Sequence, residues 1–174
     1  YSEAIKYLKL SLDKNPNHQD IYLNLGTAYY ELKDYKNCKK YYEQGMKIGK
    51  INYNLLQNLA RAYKDTGDFD KSINLYQKIH DHYPEDLKTI FFLYELRVFK
   101  LDKDLKKKIK LIIKNKNVSY TNQLYGNLLL SKFANRSSLH KDELKFLLKF
   151  HNVVYSQNKK IFEIRNRFLF DELI

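Results

Sequence analysis

Apolar and polar positions follow each other along this chain with the spacing of amphipathic helices, and one set of them returns after 34 residues. Six pairs of residues carry the repeat: Leu25 and Leu59, Ala28 and Ala62, Tyr29 and Tyr63, Asp34 and Asp68, Tyr35 and Phe69, and Tyr42 and Tyr76. A fixed period of this length indicates stacked helical hairpins, since one hairpin alone cannot bury its apolar face.

The same pattern predicts ten helices and the residues that punctuate them. They run at roughly 2–14, 19–32, 35–48, 53–66, 69–82, 86–100, 103–115, 119–134, 140–157 and 159–172. Asp34 and Asp68 each precede an aromatic residue at a helix start, as N-caps do. Gly67 fits the turn between two helices, and Pro16 and Pro84 each end one hairpin before the next.

These residues resemble the tetratricopeptide repeat. The resemblance is carried by Tyr22, Leu25, Gly26, Tyr29, Asp34, Tyr35, Cys38, Tyr42 and Gly45, and again by Leu56, Leu59, Ala60, Tyr63, Gly67, Asp68, Phe69, Ser72, Tyr76, Ile79 and Pro84. It implies an all-α, right-handed superhelical solenoid of antiparallel hairpins. Five units would nearly fill the 174 residues, and Tyr1 falls in mid-repeat, so we expect an upstream helix and a longer natural chain.

The two halves of the chain differ in regularity. Residues 1–86 carry regular repeats, the first of them truncated, whereas residues 87–174 read as degenerate hairpins of one continuous solenoid. About four hairpins are expected in all. A terminal capping helix would present Ile161, Ile164, Phe168 and Leu169.

Charge is also unequal between the halves. Residues 1–96 hold 14 Lys and Arg against 13 Asp and Glu, whereas residues 97–174 hold 18 against 7. The abundance of Lys, Asn, Ile and Tyr is typical of AT-rich coding, which reduces the weight of this basic character. Cys38 is the single cysteine, and no apolar run reaches the ~20 residues of a membrane span. A cytoplasmic location is therefore expected.

The first helix of each hairpin lines the inner groove of such an array, which the resemblance makes the expected binding surface for a protein or peptide. Asn24 and Asn58 hold the same place one repeat apart, and a carboxamide both donates and accepts hydrogen bonds, so a ladder of them suits an extended backbone. The alternative is that Asn is merely common in this composition. The predicted groove residues are Asn24, Thr27, Asn54, Gln57, Asn58, Arg61 and Lys88.

A narrower family motif, the carboxylate clamp of chaperone-binding repeats, is not matched. Leu23 and Thr27 occupy its Lys and Asn places in the first groove helix, and Phe92 occupies its Arg place in the third. Only Asn58 and Lys88 fit, so recognition of a chaperone C-terminus is not expected.

The segment 97–116 contains an amphipathic basic helix that suits weak attraction to nucleic acid or an anionic surface, or simply a solvated outer face. Nucleic-acid binding is not the favoured interpretation, because base readout uses Arg, Asn and Gln more than Lys. The basic residues are Lys106, Lys107, Lys108, Lys110 and Lys114.

Catalysis is not expected within these residues. There is no phosphate-binding loop, nucleophile elbow or metal-spaced Cys/His set, and His80 and His82 diverge on a helix, so no cofactor or metal is predicted. The stretches 125–133 and 142–152, however, are similar to the last hairpin before the catalytic domain in bacterial sulfotransferases fused to tetratricopeptide repeats. That resemblance implies a non-catalytic arm of a sulfotransferase-like or other transferase whose enzyme domain follows residue 174.

Overall fold

The computed structural model describes residues 1–49 and 51–171, with side chains described as far as Lys159. Within these residues the fold is all-α, and the predicted arrangement in helical hairpins is confirmed. The helices are α1 (Ser2–Lys14), α2 (Gln19–Glu31), α3 (Tyr35–Met46), α4 (Tyr53–Asp65), α5 (Phe69–His82), α6 (Leu87–Glu95), α7 (Lys103–Lys114), α8 (Tyr120–Arg136) and α9 (His140–Asp171).

The helices fall into two compact units. The first comprises Tyr1–Pro84 and Glu95–Val98, and the second comprises Glu85–Tyr94 and the residues from Phe99 onward. In the first unit α2 pairs with α3 and α4 pairs with α5, while α1 packs against α2. Its core is built from the repeated small and aromatic positions, which include Cys38, Tyr42, Leu55, Leu59 and Ala62.

Close approach within the α2–α3 hairpin depends on Gly26. A Cβ at this position would lie 2.3 Å from Cε1 of Tyr42, a ring that is only 1% exposed. The next repeat places Ala60 and Tyr76 at the same two positions, and both are fully buried. The two hairpins therefore bury a small residue and a tyrosine at the same two positions, with glycine in the first and alanine in the second.

The turns of the two hairpins also correspond. Lys33 and Gly67 are 34 residues apart, and both adopt the left-handed backbone, with φ of 61° and 80°. Asp34 then caps α3 by accepting a hydrogen bond from the backbone N–H of Asn37 at 3.1 Å. Asp68 occupies the predicted N-cap position of α5, but its side chain makes no capping hydrogen bond, so that part of the expectation was wrong. Its carboxylate instead accepts a hydrogen bond of 3.0 Å from Lys39.

Gln19 links the start of α2 to the following hairpin. Its Nε2 donates to the carbonyl oxygens of Gly45 at 3.0 Å and Ile48 at 2.7 Å, which end α3. Its Oε1 accepts from Nδ2 of Asn52 at 3.2 Å, while Oδ1 of Asn52 caps the first backbone N–H groups of α4. One carboxamide thus satisfies the end of one helix and orients the cap of the next.

The second unit has its own apolar core, formed by α6, α7 and α8 around Leu87, Ile90, Ile109, Leu129 and Leu130. Asn122, in the first turn of α8, accepts a hydrogen bond from the backbone N–H of Leu87 at 2.9 Å. It also donates to the carbonyl oxygen of Glu85 at 3.0 Å. The beginning of α8 therefore fixes the beginning of α6.

The C-terminal part differs from the prediction. The two helices expected at 140–157 and 159–172 are one helix, α9, which packs against α8. Ser156 and Asn158 donate back to the carbonyl oxygens of Val153 and Val154 within the helix, so neither caps a new one. The predicted capping contacts of Ile161, Ile164, Phe168 and Leu169 lie outside the described side chains.

Candidate peptide-binding site

A small polar pocket in the first unit joins α2, α3 and α4. Its volume is about 40 Å³, which is room for a few water molecules. The lining residues are Thr27, Tyr30, Glu31, Tyr42, Asn58 and Arg61. Three of the predicted groove residues, Thr27, Asn58 and Arg61, are thus brought together from two consecutive repeats.

The hydroxyl groups at the floor of this pocket have fixed roles. Oγ1 of Thr27 donates to the carbonyl oxygen of Leu23 at 2.9 Å, which uses its one proton. The hydroxyl of Tyr42, 3.0 Å away, must therefore donate to Thr27. Burial raises the pKa of Tyr42, and hydrogen bonds with Thr27 and Asn58 lower it. The effect of burial is larger, so the pKa is about 12. The phenol stays neutral and acts as a donor at physiological pH.

Arg61 is held at the edge of the pocket by an aromatic side chain and a carboxylate. Its Nε donates to the hydroxyl of Tyr30 at 2.8 Å, and its guanidinium carbon lies 4.3 Å from the centre of the Tyr30 ring. The hydroxyl of Tyr30 in turn donates to Asp65, whose carboxylate lies 3.8 Å from Nε of Arg61. The Arg61 side chain remains 52% exposed, so its outer N–H groups are available to a ligand.

The same contacts determine the protonation states of Tyr30 and Asp65. Burial is the main cause that raises the pKa of Tyr30 to about 12, and the hydrogen bond to Asp65 adds to it. Burial alone would raise the pKa of Asp65, but the hydrogen bonds from Tyr30 and Lys64 bring it below its usual value. The carboxylate is therefore ionised, and it keeps the guanidinium oriented.

The other predicted groove residues occupy different environments. Asn24 on α2 and Asn54 on α4 are exposed, so their carboxamides face solvent on the two helices that form the pocket. Gln57 is only 3% exposed and donates to the hydroxyl of Tyr53 at 3.1 Å, which places it in the interior. Lys88 lies on α6, in the second unit, and is half-buried.

Two residues of the site were missed by sequence reasoning. Tyr42 was assigned to packing alone, since its repeat position is normally a core position. Tyr30 has no aromatic counterpart one repeat later, where Lys64 stands. This departure from the repeat is the sequence feature that could have identified Tyr30 as a site residue, because a tyrosine outside the repeated set is not required by the packing of the repeat and can make a local contact.

The predicted basic residues of α7 differ in exposure. The ammonium group of Lys106 lies 4.0 Å from the centre of the Phe133 ring, and both Lys106 and Lys108 are half-buried. Lys107, Lys110 and Lys114 are exposed and share one side of the helix, and Lys107 lies 3.7 Å from Asp104. These three are the most exposed of the five predicted residues.

Among the residues that the structure describes, no three His, Cys, Asp or Glu side chains come together in a way that suits a metal ion. None of the described helices is long and apolar enough to cross a membrane.

Comparison with known proteins identifies the repeats. One tetratricopeptide repeat model matches residues 1–48, and a second matches residues 55–87. This part of the chain consists of tetratricopeptide repeats. The repeat domain thus contains the whole polar pocket, since Thr27, Asn58 and Arg61 all fall within the matched ranges.

Two curated proteins are similar to part of this chain. A 76-residue stretch is 29% identical to a probable UDP-N-acetylglucosamine–peptide N-acetylglucosaminyltransferase SEC of Arabidopsis thaliana, covering 44% of this chain and 8% of that protein. A 68-residue stretch is 34% identical to an uncharacterized protein, ycf37, of Pyropia yezoensis, covering 39% of this chain and 38% of that protein. The similarity therefore spans a minor part of each relative.

Proposed function

We propose that the repeat domain binds an extended segment of a partner protein along α2 and α4. The observation that carries this proposal is that Thr27, Asn58 and Arg61, from two successive repeats, line one pocket. The exposed Asn24 and Asn54 precede Thr27 and Asn58 by one helical turn on α2 and α4. An extended chain has unpaired backbone N–H and C=O groups along its length, and a surface that offers both donors and acceptors can pair with them.

The roles within this surface follow from the chemistry of each side chain. The carboxamides of Asn24 and Asn58 would each accept from a backbone N–H and donate to a backbone C=O. Arg61 would offer its outer N–H groups to a carbonyl or carboxylate oxygen, since its Nε is committed to Tyr30. Glu31, exposed at the pocket rim, would favour partner segments without an acidic side chain at that point.

The test uses a displayed library of random unstructured peptides, selected on the wild-type chain and scored on variants. Asn24→Ala combined with Asn58→Ala should raise the Kd of the selected peptides about tenfold or more, because each lost amide contact removes about 1 kcal/mol of binding free energy. Helicity should remain unchanged. Asn74→Ala is the matched control, since Asn74 is an exposed asparagine on α5, away from the pocket. Equal affinity of the double variant and wild type would contradict the carboxamide ladder.

A second candidate concerns the whole protein. The similarity to a probable peptide N-acetylglucosaminyltransferase favours an arrangement in which these repeats are the non-catalytic arm of a transferase. The arm would then bind the acceptor protein. The intact mass of the natural protein, with peptide sequencing beyond Ile174, distinguishes a transferase arm from a stand-alone adaptor. A catalytic domain supports the transferase, whereas a chain that ends close to Ile174 supports a stand-alone adaptor.

We further propose that the protein works in a reducing compartment such as the cytoplasm. Cys38 is completely buried, and burial raises the pKa of its thiol to about 12, so the side chain behaves as an apolar core residue. Immunolocalisation of the natural protein checks this proposal, and a secreted protein would contradict it.

A further inference from the structure

The second unit contains a larger cavity than the polar pocket. It lies between the end of α7, α8 and the middle of α9, and its volume is about 310 Å³. That volume is near the lower limit for sites that hold small molecules. The lining residues are Ile113, Gln123, Asn127, Lys149, Asn152 and Val153.

Asn127 is the buried polar residue of this cavity. Only 6% of it is exposed, and its Nδ2 donates to the carbonyl oxygen of Gln123 at 2.8 Å. Its Oδ1 is buried and accepts no hydrogen bond from any residue that the structure describes. A buried acceptor without a donor destabilises a fold, so an unpaired amide oxygen beside an open cavity points to a donor supplied from outside the chain.

The charge of the cavity comes from a single side chain. Lys149 carries the only formal charge among the six lining residues, and it is exposed on α9 three residues before Asn152. No carboxylate in that set opposes it. Gln123 and Asn152 add two more carboxamides, and Ile113 and Val153 supply the apolar part of the wall.

We propose that this cavity binds a small monocarboxylate that also carries an N–H or O–H donor. The carboxylate would pair with the ammonium group of Lys149, and Nδ2 of Asn152 would donate to it as well. Because Oδ1 of Asn127 is buried, the donor of the ligand would reach it once that amide turns toward the cavity. The apolar part of the ligand would lie against Ile113 and Val153. One ammonium group matches one negative charge, which favours a carboxylate over a phosphate dianion.

This chemistry has two sources, a free small acid or the carboxyl end of a peptide, and N-acetylalanine is a probe for both. Titrated into the ¹⁵N-labelled chain, it should shift the side-chain amide signals of Asn127 and Asn152 with a Kd on the order of 1 mM or tighter. Its methyl ester, which lacks the charge, and propionate, which lacks the donor, should each bind at least about tenfold more weakly. No shift at Asn127, or equal binding of the methyl ester, would overturn the proposal.

Variants separate this site from general attraction to a basic surface. Lys149→Gln should raise the Kd for N-acetylalanine about tenfold or more, whereas Lys145→Gln, one turn earlier on α9 and outside the lining, should leave it unchanged. Asn127→Leu should make the Kd values for N-acetylalanine and propionate equal while the chain stays folded. Equal effects of the two lysine variants would refute a specific site.

The source is decided by a pair of peptides that end in alanine, one with a free carboxyl group and one amidated. Binding of the free-acid peptide at least as tight as that of N-acetylalanine assigns the cavity to a chain end. Binding of N-acetylalanine alone assigns it to a free small acid. Both results support the carboxylate site, and neither depends on the peptide surface of α2 and α4.

Discussion

The Nε of Arg61 donates a hydrogen bond of 2.8 Å to the hydroxyl of Tyr30, which lies on the first helix of the preceding repeat. The same hydroxyl donates to Asp65, one turn after Arg61 on α4. Tyr30 therefore joins the cation and the carboxylate of the next repeat and holds Arg61 at the pocket edge. The predictions below begin from this contact.

Tyr30→Phe removes the shared hydroxyl and leaves Arg61 and Asp65 as a surface ion pair. The free energy of unfolding should fall by about 1–2 kcal/mol, because Asp65 loses a charged hydrogen bond at a partly buried position. Urea denaturation of the wild type and the variant measures this change. Tyr7→Phe is the control, since Tyr7 is 61% exposed on α1 and should have no effect. A Tyr30→Phe chain as stable as the wild type would show that the hydroxyl contributes nothing.

Alkaline pH should destabilise the repeat domain before Tyr42 of the folded chain ionises. The pKa of Tyr42 is raised by burial from its ordinary value near 10 to about 12. The unfolded chain therefore loses this proton first, so the stabilisation is complete below pH 10 and is lost as the pH rises toward 12. The slope for Tyr42 should be about 1 kcal/mol per pH unit.

Tyr42→Phe provides the check on that slope. Chemical denaturation at a series of pH values between about 9 and 12 should show a shallower loss of stability for the variant. The remaining slope belongs to Cys38 and Tyr30, whose pKa values are raised to about 12, and to Tyr41 and Tyr63, whose pKa values are also raised. Parallel curves for wild type and Tyr42→Phe would argue against a shifted Tyr42.

Gly26→Ala should destabilise the chain although alanine is the better helix former. The added Cβ would lie 2.3 Å from Cε1 of Tyr42, and the buried ring cannot move away. Overpacking of this kind costs about 1–3 kcal/mol, whereas the gain in helix propensity is about 1 kcal/mol. Thermal unfolding measures the balance. A higher melting temperature for Gly26→Ala would mean that the α2–α3 hairpin can open enough to accommodate the added Cβ.

Lys33→Gly and Gly67→Ala should change the free energy of unfolding in opposite directions. Both positions hold the left-handed backbone, with φ of 61° and 80°, so glycine relieves strain at the first and its loss adds strain at the second. We expect a gain of about 0.5–1 kcal/mol for Lys33→Gly, reduced by the loss of the contact between Lys33 and the Tyr30 ring, and a loss of about 1 kcal/mol for Gly67→Ala. Chemical denaturation tests both, and changes of the same sign would contradict the shared turn geometry.

The fold was predictable where the sequence repeats. Gly67 marks a turn that recurs at Lys33, and Asp34 marks the start of α3, so α2 to α5 begin where the pattern predicts them. The break expected at Asn158 was wrong, because short polar side chains within a helix can bond to the preceding turn as readily as they cap a new helix. Sequence spacing does not distinguish those two outcomes.

The candidate site was predictable only in part. Helical periodicity predicts that Thr27 faces the groove from α2 and that Asn58 and Arg61 face it from α4. These three residues line one pocket. Exposure of a particular side chain depends on neighbours distant in the sequence. Gln57 turns inward to Tyr53, and Lys106 lies over Phe133 on another helix. Neither contact follows from periodicity.

The bonds made by Gln19 have a consequence for how the repeat domain unfolds. Because one side chain holds the last carbonyl groups of α3 and the cap residue of α4, fraying at the end of one hairpin removes support from the beginning of the next. Neighbouring repeats thus share part of their stability, and the array gains cooperativity beyond that of independent hairpins. A partner that docks across α2 and α4 would then slow amide hydrogen exchange well beyond the residues it touches.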